Sequence, residues 1–144
     1  MQGNDMKTSA RNSLTGTITE VIPGAVNTEV LLKVSDTITL AAIVTNHSAE
    51  TLGLAAGTKA TALIKSSLPI LMIDAGKTSA RNQLAGKISK VELGAVNSEI
   101  QLDIGTPEPL TVIVTNESVK HLELADGKDC TALIKASQII LAVD

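Results

Sequence analysis

Two identical hexapeptides, KTSARN, carry side chains that could bind an anion. They cover Lys7–Asn12 and Lys77–Asn82, seventy residues apart. Lysine, threonine, serine, arginine and asparagine all carry hydrogen-bond donors, and lysine and arginine also carry positive charge. Because five of the six letters are not apolar, burial in a hydrophobic core does not explain why the string recurs. We therefore expect the hexapeptide to contact an anion that has several oxygen atoms.

Three further strings recur with the same spacing of seventy residues. They are GAVN at Gly24–Asn27 and Gly94–Asn97, IVTN at Ile43–Asn46 and Ile113–Asn116, and TALIK at Thr61–Lys65 and Thr131–Lys135. A serine stands two residues after IVTN in both copies, at Ser48 and Ser118. A helix predicted after TN would add backbone N–H groups and the positive end of its dipole. These donors extend the predicted anion site.

The KTSARN, TN-Ser and TALIK strings share no carboxylate, and this predicts which anions the site accepts. Hydrogen phosphate carries a proton and is best held where a carboxylate can accept it. A site made only of donors favours a fully deprotonated oxyanion such as sulfate, molybdate or tungstate. Glu117 falls among these strings in the second copy only.

The chain is an internal duplication. Residues 5–74 and 75–144 share 35 identities in 70 positions without an insertion or deletion. A period of this length indicates domains rather than solenoid repeats. We therefore predict two domains, at 1–74 and 75–144, each small enough that oligomers would be needed to bury more apolar surface.

Each copy reads as five short strands and one short helix. The first strand is predicted at 14–22 and 84–93, the second at 26–34, the third at 38–44 and 110–114, the fourth at 59–67 and 129–137, and the fifth at 69–73 and 138–143. In the second strand, alternation places Val26, Val30, Leu32 and Val34 on one face. Thr or Asn of TN should cap the helix, and the glycine of GAVN should allow a turn with positive φ. The predicted fold is mainly β, with two tandem OB-like five-stranded barrels.

Composition narrows the functional classes. The chain has no Phe, Trp or Tyr, a net charge of −3 and one cysteine. Without aromatic stacking platforms and with negative charge, it does not resemble a nucleic-acid binder. Neither a membrane span nor a signal peptide is visible, so we expect a cytoplasmic protein that does not bind membranes. Catalytic pairs and metal cages are also missing, so we expect no enzyme, no cofactor and no direct cation site.

The second copy contains the strings TSARNQLAGKI, GAVNSEI, TNESV and TALIKAS, and the first copy has their counterparts in the same order and at the same spacing. These strings resemble the molbindins. These are small cytoplasmic proteins of Mop or TOBE-type domains that bind molybdate. The resemblance implies OB-like barrels, six domains in a compact ring, and therefore a homotrimer of this two-domain chain. It also implies that oxyanions, molybdate and also tungstate, bind at interfaces between domains in two kinds of site. Storage or homeostasis of molybdenum is the function it implies.

The resemblance also assigns residues to the two kinds of site. For the first kind, the first copy supplies Ser9, Arg11, Asn12, Thr45, Ser48, Lys65 and Ser66, and the second copy supplies Ser79, Arg81, Asn82, Thr115, Ser118, Lys135 and Ala136. Ala136 departs from Ser66, which weakens the second site if the hydroxyl rather than the backbone binds the anion. The candidates for the other kind are the GAVN turns, Gly24, Ala25, Val26 and Asn27 with Gly94, Ala95, Val96 and Asn97.

Simpler interpretations remain open for each motif. The arginine could form a surface salt bridge with Glu20 or Glu29, worth ~0–1 kcal/mol. TN could be an ordinary helix cap, and Lys65 a solvated residue at a strand end. His47, His121 and Cys130 differ between the copies, and we interpret them as incidental. A different functional class is a molybdate-sensing module that docks on a partner protein.

Overall fold

The fold was determined as a computed structural model, which describes residues 7–74 and 76–144. Ten strands, two α-helices and one 3₁₀ turn alternate along these residues. Their bounds are β1 Asn12–Pro23, β2 Asn27–Lys33, β3 Thr39–Thr45, α1 Asn46–Leu52, β4 Lys59–Ile64, β5 Ile70–Met72, β6 Asn82–Leu93, β7 Asn97–Asp103, β8 Leu110–Thr115, α2 Asn116–Leu122, β9 Asp129–Ile134, a 3₁₀ turn Ala136–Gln138, and β10 Ile140–Ala142. The predicted mainly-β class, with five strands and a short helix in each copy, is confirmed.

The strands form two antiparallel sheets of five. One sheet has the order β10-β4-β1-β2-β3, and the other has the order β5-β9-β6-β7-β8. The long strand β1 pairs with β4 through its first half and with β2 through its second half, and β6 pairs likewise with β9 and β7. A bulge between Ile18 and Glu20, repeated between Ile88 and Lys90, bends each long strand near the point where its pairing passes from one neighbouring strand to the other. This is the arrangement expected of OB-like barrels.

Each copy gives its last strand to the sheet of the other copy. β5 pairs with β9, and β10 pairs with β4. The two compact units are therefore residues up to Ile64 together with Lys135–Asp144, called the first unit, and Lys65–Ile134, called the second unit. The predicted limits at 1–74 and 75–144 describe the repeats of the sequence and stay a prediction, since repeat and compact unit differ by one exchanged strand.

Aliphatic side chains make up most of the core of each unit. In the first unit Ile18, Val30, Leu32 and Ile64 are at most 1% exposed. Their counterparts in the second unit, Ile88, Ile100, Leu102 and Ile134, are equally buried. Within the described residues, no helix is both long and apolar enough to cross a membrane.

Two local predictions were wrong. Val26 does not share the buried face of Val30 and Leu32, because β2 begins only at Asn27 and Val26 lies in the preceding turn, 73% exposed. Gly24 and Gly94 do not adopt a positive φ. Glycine is needed there for space, since an added Cβ would lie 2.9 Å from the Asn27 carbonyl oxygen and 2.4 Å from that of Asn97.

Candidate functional site

The GAVN turn and the start of the helix come together in each unit. β2 and β3 are antiparallel neighbours, and their register places Asn27 opposite Thr45. The register of β7 and β8 likewise places Asn97 opposite Thr115. The backbone N–H of Asn46 donates to the Val26 carbonyl at 3.2 Å. We call this group the turn–helix cluster: Gly24–Asn27 with Thr45, Asn46 and Ser48, and Gly94–Asn97 with Thr115, Asn116 and Ser118. The second and third recurring strings therefore meet.

A hydroxyl pair begins each helix. Thr45 is the N-cap, and its Oγ1 accepts from the Ser48 backbone N–H at 3.1 Å, as predicted for a TN helix start. The Thr45 hydroxyl in turn donates to Ser48 Oγ at 2.9 Å. Thr115 and Ser118 repeat both contacts at 3.1 and 3.0 Å. Because the threonine hydroxyl is already used as donor and acceptor, the serine hydroxyl is the group left to donate to a ligand.

Asn46 and Asn116 organise the turn–helix cluster, although the sequence analysis did not assign them. The Asn46 Nδ2 donates to the Gly24 carbonyl at 3.0 Å, and its Oδ1 accepts from the Thr28 hydroxyl at 2.6 Å. Asn116 bonds the Gly94 carbonyl and the Ser98 hydroxyl in the same way. Recurrence of TN in both copies was the available signal. The amide fixes the GAVN turn against the helix, so its role here is positioning.

The KTSARN string ends at the beginning of β1, where β4 ends. Asn12 lies opposite Ile64, is 3% exposed, and donates from Nδ2 to the Ile64 carbonyl at 3.3 Å. Asn82 is 2% exposed and makes the same contact with Ile134 at 3.2 Å. The neighbouring Arg11 and Arg81 side chains are exposed. We call these residues the strand-start cluster: Ser9–Asn12 with Ile64, and Ser79–Asn82 with Ile134.

The fourth string leads directly out of the strand-start cluster. Lys65 follows Ile64, and Lys135 follows Ile134; both lysines are exposed. Ser66 is half-buried, and its backbone carbonyl accepts from the Ile113 N–H at 2.9 Å. Ala136 is 4% exposed at the start of the 3₁₀ turn. The backbone at this position has a structural role that does not need a serine hydroxyl.

The two clusters of one unit lie at opposite ends of its longest strand. β1 has 12 residues, so at about 3.3 Å per residue its two ends are up to about 36 Å apart. Arg11 and Asn12 lie at the beginning of β1, whereas Thr45 and Ser48 adjoin its end through β2 and β3. Within a unit, the residues predicted for one anion site therefore lie at opposite ends of this strand.

Two of the residues interpreted as incidental have surroundings that can be described. Cys130 is 3% exposed, and its burial raises the pKa of the thiol, which disfavours the thiolate that a nucleophile requires. The His47 ring lies 3.5 Å from the Thr51 hydroxyl within the same helix. No cluster of three or more potential metal ligands occurs in the described ranges 7–74 and 76–144.

Comparisons with known proteins agree on one family. The sequence matches the TOBE domain twice, over residues 8–68 and 78–141. It is 45% identical over 140 residues to the molybdenum-pterin-binding protein MopA of Rhodobacter capsulatus, covering 96% of this chain and 53% of MopA. It is 40% identical over 144 residues to the molybdenum transport protein ModE of Azotobacter vinelandii, covering 99% and 53%. The chain thus spans about half the length of these two relatives.

A solved structure matches the whole fold. The crystal structure of the cytoplasmic molybdate-binding protein ModG with molybdate bound superposes with a TM-score of 0.92 at 42% sequence identity. The match covers 96% of this chain and 100% of the ModG chain. The predicted pair of OB-like barrels is therefore also the fold of a solved relative.

Proposed function

The chain belongs to the TOBE-domain family, and from this premise we propose that it binds molybdate by hydrogen bonds and serves in the storage or homeostasis of molybdenum. The observation that carries the proposal is the exposure of the recurring polar residues. Arg11 and Lys65 are exposed, as are their counterparts Arg81 and Lys135 in the other copy. Core packing does not account for their recurrence, whereas contact with a ligand does.

The proposed ligand is an oxyanion without a proton. The candidate side chains that are left to donate hydrogen bonds to an anion are arginine, lysine and serine. The relatives MopA, ModE and ModG carry molybdenum or molybdate in their names, which supports molybdate over sulfate. Tungstate has nearly the same size and charge, and we propose that it is accepted as well.

We propose that the binding residues are those assigned by the resemblance, and that interfaces complete each site. Since Arg11 and Thr45 lie at opposite ends of β1 within a unit, we propose that a site that uses both takes them from different chains. A homotrimer in the cytoplasm, as the family resemblance implies, would supply such interfaces. Binding and assembly would then be linked, because a ligand that binds only the assembled form stabilises it.

Isothermal titration of the protein with molybdate tests the proposal, with sulfate and phosphate as matched anions. Tight binding of more than one molybdate per chain, with sulfate and phosphate much weaker, is the expected result. Light scattering before and after titration gives the mass of the assembly. Protein concentration has to come from peptide-bond absorbance, because the chain has neither Trp nor Tyr. Absence of heat and of thermal stabilisation with every oxyanion would exclude the proposal.

The alternative, a molybdate-sensing module that acts by docking on a partner, is less favoured. The structural match to ModG extends over the full length of that binding protein. Affinity capture of partners from cell extract, with and without molybdate, separates the two. A partner retained only with molybdate, together with one weak site per chain, would favour the docking module.

A further inference from the structure

Two exposed rows of side chains occupy matched positions of the two units and carry opposite charges. In the first unit Thr17 lies opposite Lys33 on β2 and opposite Lys59 on β4. In the second unit Lys87 lies opposite Asp103 on β7 and opposite Asp129 on β9. We call these the lysine row and the aspartate row. All six side chains are exposed.

The strands set the same spacing in both rows. Residues directly opposite each other in antiparallel strands project from the same face of the sheet, so each row runs straight across three strands. Neighbouring strands lie about 4.8 Å apart, which separates the two outer residues of a row by about 10 Å. The outer residues are two lysines in one row and two aspartates in the other. The rows therefore match in length and are opposite in charge.

The reversal is local and does not reflect different overall charge. Residues 5–74 contain 5 basic and 6 acidic side chains, and residues 75–144 contain 7 and 9, giving −1 and −2. The lysine row alone carries +2. The aspartate row carries −1, because the positive charge of Lys87 offsets one of its two carboxylates. Lys87 Nζ lies 2.7 Å from Asp129 Oδ1. Asp103 Oδ1, among its described contacts, accepts only the Gly105 N–H at 3.0 Å.

A cleft beside the aspartate row offers apolar surface to a docked side chain. It has a volume of about 580 Å³, and its walls include Ile73, Ala85 and Ile104 together with the aspartates. Lysine can lay its aliphatic stem along such a surface while its ammonium group reaches a carboxylate. The second unit thus presents acidic groups at the edge of an apolar cleft, and the first unit presents the matching cations.

We propose that the lysine row of one copy of this chain docks on the aspartate row of another copy. Whether the rows meet parallel or antiparallel, each lysine faces an aspartate, because both outer positions are reversed. A contact between two lysine rows would place four like charges together, and a contact between two aspartate rows would do the same with carboxylates. The reversal therefore selects first-unit-to-second-unit contacts between chains. Such head-to-tail contacts close into a ring or extend into a filament.

This inference deepens the assembly part of the proposed function and is independent of the oxyanion sites. Its test is a charge exchange, with association measured by sedimentation equilibrium in the absence of any oxyanion. Lys33→Asp with Lys59→Asp makes both rows acidic, and Asp103→Lys with Asp129→Lys makes both basic. Either variant alone should raise the dissociation constant of self-association by about tenfold or more, since attraction becomes repulsion at two positions in every contact.

Restoration distinguishes a specific contact from a general effect of charge. The chain that carries all four substitutions should assemble like wild type, because its two rows are again opposite in charge. An equimolar mixture of the two-residue variants should associate more tightly than either variant alone, because a lysine row and an aspartate row then meet only between different variants. Glu50→Lys with Lys120→Glu is the matched control, because it exchanges another charge-reversed pair, on the two helices, and should leave association unchanged. Wild-type association should weaken between about 0.01 M and about 1 M salt, as the screening length falls from ~30 Å to ~3 Å.

Several outcomes would overturn the contact. They are a monomeric wild type at low salt, wild-type association of either two-residue variant, a mixture that stays apart, or a control that dissociates as much as the variants. Molybdate titration of the wild-type protein stands apart from these measurements. Tight binding together with unaffected association would overturn the docking contact alone, whereas intact charge-dependent association without binding would overturn the proposed function alone.

Discussion

Individual residues of the recurring strings divide into those that hold the fold and those that face solvent. The side-chain amide groups of Asn12 and Asn46 both donate to backbone carbonyls, at 3.3 and 3.0 Å. The hydroxyl of Thr45 both donates to and accepts from Ser48. Arg11 and Lys65, by contrast, present exposed cationic groups. The asparagines thus position their clusters, and the cations and Ser48 are the better candidates for ligand contact.

The first prediction concerns the two arginines. Arg11→Ala with Arg81→Ala should weaken molybdate binding by ~1.5–3 kcal/mol per site, the range for a hydrogen bond to a charged group. Titration calorimetry measures the loss. Lys90→Ala with Lys120→Ala removes the same number of exposed positive charges outside the predicted site and serves as the control. Equal affinity of the arginine variant and wild type, with folding confirmed by circular dichroism, would refute the site assignment.

The second prediction concerns the end of each helix. Gly53 and Glu123 occupy the same position and both adopt the left-handed conformation, with φ of 65° and 54°. This conformation is unfavourable for a residue with a Cβ, although glycine also loses more entropy on folding. Glu123→Gly should therefore stabilise the protein by about 0.5–1 kcal/mol.

Urea unfolding followed by far-ultraviolet circular dichroism measures this change. The Lys128 ammonium group donates to the Leu122 and Glu123 carbonyls, and both contacts use backbone atoms that Glu123→Gly retains. The reverse substitution, Gly53→Glu, should lower the stability of the protein, because it places a residue with a Cβ in the left-handed conformation. Thr58 occupies the position in the first copy that corresponds to Lys128, the lysine that supports the second helix. If Gly53→Glu proves neutral, backbone conformation is not what distinguishes the two helix ends.

Strands and helices were largely predictable from the sequence, and the reasons are local. Alternation of apolar residues located β2, the TN cap located α1, and recurrence in the second copy confirmed each element. The exact start of β2 was missed because Val26 is apolar but lies in a turn that its neighbours impose through Gly24 and Asn46. Alternation alone cannot distinguish an exposed turn valine from a buried strand valine.

The third prediction concerns the close approach of β1 to the end of β2. A Cβ at Gly16 would lie 2.2 Å from the Lys33 carbonyl oxygen, and one at Gly86 would lie 2.2 Å from that of Asp103. These oxygens belong to paired strands and cannot move without displacing the sheet. Gly16→Ala or Gly86→Ala should therefore destabilise the protein by at least ~1–3 kcal/mol, as overpacking does.

The same urea experiment tests this prediction, with Ser13→Ala as control. Ser13 is exposed on the same strand, so its substitution should stay within about 0.5 kcal/mol of wild type. A neutral Gly16→Ala would mean that the long strand does not approach β2 as closely as the distance indicates. The recurrence of glycine at this position in both copies would then lack a structural reason.

At the scale of the whole molecule, the exchange of last strands was not predictable from the sequence. PILMI and QIILAV were recognised as strands, but their partners depend on where the chain goes after Ile64 and Ile134. TALI recurs in β4 and β9, so β5 and β10 meet almost the same surface in either sheet: Leu71 lies opposite Ala132, and Leu141 opposite Ala62. Side-chain pattern therefore does not favour one sheet over the other. The same limit applies to the anion site, whose candidate residues lie at opposite ends of β1 within a unit.

The last prediction follows from that exchange. A fragment of residues 1–74 contains a fifth strand, yet in the intact chain that strand completes the sheet of the second unit. Two copies of the fragment can exchange last strands and reproduce both five-stranded sheets, so the fragment should be a dimer.

A fragment of residues 1–64 is the control, because it lacks the last strand. One edge of β4 is then unpaired, and the aliphatic core loses the side chain that Leu71 or Leu141 supplies, so this fragment should not fold. Light scattering gives the mass, and circular dichroism gives the fold. A folded monomer of residues 1–74 would mean that the strand can return to its own copy, and that the covalent connection between the copies, rather than the strand itself, determines the exchange.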